Sequence, residues 1–162
     1  MNAESASNYG AEAEGRYSLR GLTRGLRRWT LSSNVSVISS KVEIDGSQGN
    51  QTSSVRPLQG QSPYVANLQL LYDRPQWKIN SSLIYNVVGK RITEVGTNER
   101  PDIYEQPVQQ LDFVFNQNFG PWGYGFRARN LIDPVAQSTQ GDEVVRARKR
   151  GRSYAFNLTA YF

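Results

Sequence analysis

The chain has 162 residues, a formal net charge of +5 and 38% hydrophobic residues, with a mean hydropathy of −0.60. No stretch approaches the ~18 consecutive apolar residues of a membrane-spanning helix, and the absence of cysteine and histidine excludes disulfides, thiol chemistry and nearly all transition-metal sites. The basic balance suits nucleic acid or a phosphate-bearing lipid surface and does not choose between them.

The opening MNAESASNYG has neither the basic nor the apolar region of a secretory signal. Alternation with a period of two then recurs in seven segments, each with one face free of charge. In chain order the charge-free faces are Tyr9, Ala11, Ala13, Gly15, Tyr17, Leu19; Trp29, Leu31, Ser33, Val35, Val37, Ser39; and Tyr64, Ala66, Leu68, Leu70, Tyr72. They continue with Trp77, Ile79, Ser81, Leu83, Tyr85, Val87, Gly89; Leu111, Phe113, Phe115, Gln117, Phe119; Tyr124, Phe126, Ala128, Asn130, Ile132; and Tyr154, Phe156, Leu158, Ala160, Phe162. Charges fall on the opposite faces, at Glu12, Glu14, Arg16, Lys78, Asp112, Arg127 and Arg129. One face therefore suits lipid and the other a polar lumen.

Most of these runs reach the ~9–11 residues with which a tilted strand crosses a bilayer, about twice the length of strands in soluble sheets. The connections alternate in length. Arg20 to Arg27, Asp73 to Gln76 and Gly120 to Gly123 are short, whereas Lys41 to Gln61, Lys90 to Gln106 and Asp133 to Gly151 are long. That alternation matches the periplasmic turns and extracellular loops of an outer-membrane barrel. Tyr17, Trp29, Tyr72, Trp77, Phe119, Tyr124 and Phe162 flank the short turns, and Tyr9, Tyr64, Tyr85 and Tyr154 lie toward the long loops, as two aromatic girdles would.

The long loops are rich in Ser, Gln, Asn, Gly and Thr, a composition that predicts mobile, solvated segments. The basic run Arg146, Arg148, Lys149, Arg150 and Arg152 stands before the last strand, at the predicted outer rim, where phosphates of lipopolysaccharide are the expected partner and nucleic acid is not. GLTRGLRRW, from Gly21 to Trp29, has a faint helical spacing of Leu22 and Leu26, but its place between two strands reads as a turn. Glu94 with Glu99, and Asp142 with Glu143, fall in loops without the geometry of an acid pair or a calcium site. No nucleophile with a base is visible, so no enzymatic activity, cofactor or metal is expected.

PLQGQSPYVANLQLLYD (Pro57 to Asp73), PDIYEQPVQQLDF (Pro101 to Phe113), RARNLIDP (Arg127 to Pro134) and the final YAFNLTAYF resemble the C-terminal barrel region of TonB-dependent outer-membrane receptors. The resemblance runs from about Asn8 to Phe162. It implies an all-β fold, an antiparallel transmembrane segment of about seven strands from a 22-stranded barrel, and a role in importing a siderophore, cobalamin, glycan or similar ligand. Implied partners are outer-membrane lipid, the remaining strands and plug of the receptor, TonB acting through an N-terminal region, and the barrel-assembly machinery. Residues 1–162 carry no counterpart of a signal peptide, TonB box or plug, which reads the chain as one part of a longer receptor. Tyr154, Phe156, Leu158, Ala160 and Phe162 would be the strand signal read during assembly. Two alternatives are a small structural or adhesive outer-membrane barrel closed by one further strand or a second chain, and a soluble ligand-binding barrel.

Overall fold

The structure, a computed structural model, describes residues 4–44 and 50–161. Its twelve strands, numbered in chain order, are β1 (Ser5–Ser18), β2 (Trp29–Glu43), β3 (Val55–Arg56), β4 (Tyr64–Arg74), β5 (Ile79–Val88), β6 (Arg91–Glu94), β7 (Ile103–Glu105), β8 (Val108–Phe119), β9 (Trp122–Arg129), β10 (Val135–Gln140), β11 (Glu143–Lys149) and β12 (Ser153–Ala160). The fold is all-β and antiparallel. The seven alternating segments become the long strands of one sheet, ordered β1-β2-β4-β5-β8-β9-β12, with the short β3 paired to β2.

Register decides whether seven separate alternations make one surface, because a slip of one residue turns a strand's side chains to the other face. No such slip occurs. Tyr17 pairs with Leu31, Leu31 with Leu70, Leu70 with Leu83, Leu83 with Phe113, Phe113 with Ala128 and Ala128 with Tyr154. This row crosses all seven strands without a polar side chain other than the tyrosine hydroxyls. The strands are staggered about it: β1 runs back from Tyr17 to Ser5, and β12 runs on from Tyr154 to Ala160.

Among the described residues β1 and β12 are not paired with each other, so the sheet is open and no closed barrel is formed. It also lacks an interior. The buried hydrophobic residues are Val42, Ile92 and Ala128, while Tyr154, Phe156 and Leu158 are 62%, 65% and 56% exposed. The accessible surface of 11087 Å2 exceeds the roughly 8,100 Å2 of a folded globular protein of this mass.

Several strand boundaries differ from the sequence reading: β5 stops at Val88, short of Gly89, β2 runs on to Glu43 past the expected loop start at Lys41, and three further differences have a local cause. Trp77 lies in a 3-10 turn, Pro75–Trp77, and β5 begins only at Ile79. Proline suits that first turn, and Lys78 takes a left-handed conformation (φ 48°) that ends it. Asn130 and Ile132 lie beyond β9, because Asn130 itself turns left-handed at φ 58°. Leu19 opens a second 3-10 turn, Leu19–Gly21, which with Arg24–Leu26 makes the connection between β1 and β2.

The largest correction concerns the long loops. Two of them are not mobile chain but pair with each other into a second antiparallel sheet, ordered β11-β10-β7-β6. The expected Ser- and Gly-rich segment from Gly46 to Ser54 falls partly outside the described residues.

Candidate functional site

The widest feature is the apolar face of the large sheet. Its charge-free stretch ends within the terminal residues of two strands. On β2 the same face continues to Lys41 and Glu43, paired with Ser7 and Ser5 at the far tip of the β1–β2 hairpin, and on β4 it continues to Arg74, opposite Ile79. Arg74 is placed by the short turn, with its guanidinium carbon 3.2 Å from the centroid of the Trp77 ring. Trp29 and Tyr72 lie beside it with ring centroids 4.9 Å apart. Cationic and amphipathic groups thus gather at the short-turn rim, the arrangement aromatic girdles take at a bilayer boundary.

Tyr154, Phe156, Leu158 and Ala160 lie on this face along the open edge strand β12, opposite Ala128, Phe126, Tyr124 and Trp122. Phe162 lies outside the described residues. The basic run is dispersed rather than gathered. Arg146 and Arg148 share one side of β11, opposite Ser138 and Ala136, and Lys149 takes the other, opposite Val135. Arg146 pairs with Glu94 at 2.5 Å, and that hydrogen bond raises its guanidinium pKa further. Lys149 pairs with Asp133 at 3.2 Å, and Arg152 Nε donates to the Leu131 carbonyl at 3.0 Å.

The polar face meets the small sheet at the long-loop end, and the quoted motifs do the joining. In PLQGQSPY, Gly60 has φ +80° and donates its N–H to Ile92 O at 2.8 Å. Gln59 Nε2 donates to Thr93 O at 2.7 Å, and buried Ser62 Oγ donates to Gly89 O at 3.0 Å. A Cβ on Gly89 would lie 2.8 Å from Tyr64 Cε1, so this ring requires glycine beneath it. In ARNLIDP, the Asn130 N–H donates to Asp112 Oδ1 at 2.8 Å and Asn130 Nδ2 to Gly151 O at 2.7 Å. Gly151 N–H in turn donates to Asp133 Oδ1 at 3.0 Å.

Two recesses result. One, of about 300 Å3, lies between Ile38 and Ser40 of β2, Pro57 and Pro63, and Ile92 and Tyr104 of the small sheet. Lys90 Nζ stands 4.3 Å from the Tyr104 ring centroid there. Burial, and then the nearby charge of Asp102, push the Tyr104 phenol above its ordinary range, with Arg56 opposing. The other, of about 200 Å3, is lined by Asn86, Gln110, Arg91, Glu105 and Arg150. Arg91 Nε donates to Glu105 Oε2 at 2.8 Å, leaving amides and a second arginine around a fixed ion pair. Such a lining recognises polar ligands by hydrogen bonding. Among the described residues no three carboxylates converge on a metal position.

Of the residues around these recesses, Arg150 stands out from sequence as a contact residue, and Pro57, Pro63, Tyr104, Glu105 and Gln110 fall in the quoted segments without an assigned role. Gln110 shares the alternation of Asp112, a signal that was available, whereas Arg91 and Glu105 meet only because β6 pairs with β7. No protein-family model, curated protein or solved structure matches this chain.

Proposed function

We propose that this chain is a stretch of outer-membrane barrel wall belonging to a TonB-dependent nutrient receptor, with its apolar face against lipid and its polar face toward the lumen. The observation that carries this reading is the charge-free row in register across all seven strands, with nothing among the described residues to cover it. Lipid is the solvent for such a surface. The stagger supports it as well. Strand midpoints shift by about eight residues over six neighbours, which at ~3.3 Å per residue and ~4.8 Å between strands corresponds to a tilt of about 40°, within the range of membrane barrels.

Strand direction bears on how the wall would close. β1 and β12 run the same way along the sheet, so joining them directly would make a parallel seam. An odd number of further antiparallel strands avoids this. Fifteen more would complete a 22-stranded receptor and one more the small adhesive barrel. The PLQGQSPY and ARNLIDP segments favour the receptor. In that setting the loop sheet and its recesses belong to ligand capture on the outer side, no reaction is catalysed, β12 carries the assembly signal, and energy comes from TonB through other parts of the receptor. The dispersed arginines of β11 remain available for lipopolysaccharide phosphate at Arg148.

The chain contains no cysteine, which makes a single-cysteine scan clean. Spin labels along β5 in lipid vesicles should alternate, with Leu83 and Tyr85 accessible to oxygen and Ser82 and Asn86 accessible to a water-soluble relaxer. A monodisperse, detergent-free monomer that unfolds cooperatively would overturn the membrane reading.

A further inference from the structure

At the short-turn end, opposite to the loop sheet, the connection between β1 and β2 places Arg20, Arg24, Arg27 and Arg28 around one recess of about 690 Å3. Asp73 near the end of β4, Pro75 and Gln76 of the β4–β5 turn, and Thr30 of β2 complete its lining. The two connections are fastened together, since Asp73 N–H donates to Arg28 O at 3.0 Å. Among the described residues none of the four arginines takes part in an ion pair. One carboxylate therefore shares the recess with four arginines.

We infer that this recess binds a phosphate-bearing, water-soluble anion. Four arginines lining one recess offer more donors than a single carboxylate can accept, and multidentate pairing with phosphate oxygens is the contact arginine makes best. Binding also relieves the mutual repulsion of the cluster. Phosphate chemistry could come from a solute or from a lipid headgroup. Thr30 and Asp73 decide for the solute, because both lie on the polar face of the sheet: Thr30 pairs with Ser18 and Leu71, and Asp73 with Asn80, all off the charge-free rows. The recess thus opens on the aqueous side. The choice of solute over lipid rests on the membrane reading; the arginine recess itself, built from two connections, does not.

Isothermal titration of the full chain in neutral detergent micelles with pyrophosphate, at low salt, tests it. Saturable binding is expected, weakened about tenfold or more by the double variant R24Q/R27Q. The double variant R127Q/R129Q removes the same charge from exposed positions of β9, far across the sheet, and should change affinity by less than about twofold. Equal weakening by both pairs would reduce the effect to net charge and overturn the site, as would absence of binding by the unaltered chain. Heat released only when phosphatidylglycerol is added to the micelles would assign the phosphate to lipid and overturn the solute. Should R24Q/R27Q lose its strand signal in circular dichroism, R24K/R27K serves instead, keeping the charge while losing the two-pronged contact; unchanged affinity in that pair would also count against the site. Detergent dependence of the same sample reports separately on the membrane reading.

Discussion

The large sheet and the loop end are built on opposite principles. The sheet has long strands, strict register and an uncovered apolar face, whereas the loop end has short strands, a register shift between Ile92 and Glu94, and buried residues at Ile92, Asp102 and Ser62. The first is ordered by its ladder and leaves its apolar face exposed; the second packs against itself. On the membrane reading proposed above, two solvents would have selected two kinds of structure within one chain, and substitutions should separate them.

The sharpest separation comes from charge placed in the apolar row. Leu83→Arg should cost about 2–4 kcal/mol of folding stability in lipid vesicles, measured by urea titration of tryptophan fluorescence, while Asn67→Arg on the polar face should cost well under 1 kcal/mol. Equal losses would erase the distinction between the faces. At the loop end, Ile92→Ala removes a side chain that is 1% exposed and should cost about 2–3 kcal/mol locally. Hydrogen exchange should quicken in β6, β7 and β10 with β1 and β2 unchanged; a loss spread over the whole sheet would make the two regions one cooperative unit.

The smallest effect is one of pH. The folded-state pKa of Tyr104 is raised above the ordinary 10.0 by burial and by Asp102. Folding therefore favours the protonated phenol, a contribution fully present below the ordinary value and lost as pH rises through the higher folded one. Phenolate absorbance near 295 nm should show one tyrosine ionising late, and Tyr104→Phe should abolish that late component; its persistence would place the perturbed group elsewhere.

The seven long strands were legible because an alternation survives inspection one segment at a time, and Leu31, Leu70 and Leu83 keep their faces whatever their neighbours do. Strand ends were less so. Trp77 and Asn130 continue the alternation in sequence, yet Pro75 and a left-handed Asn130 take them out of the ladder. The small sheet was not legible at all, since β7 joins β10 through pairs such as Ile103 with Gln140, short runs whose partner lies far along the chain. The arginine recess hid for a related reason. Leu22 and Leu26 suggested a helical spacing, while the recess brings Arg20, Arg24 and Arg27 together with Asp73 of a strand more than forty residues along the chain.

The clasp at Asn130 also bears on how this molecule tolerates change. Asn130 Nδ2 holds Gly151 O, and Gly151 N–H holds Asp133, so the excursion that carries β10 and β11 is tied off at its base before it leaves the large sheet. Its length and sequence are thereby decoupled from the register of β9 with β12. Such a segment behaves as an exchangeable cassette: insertions, deletions or grafts between Val135 and Lys149 would remodel the small sheet without disturbing the pairing of β9 with β12.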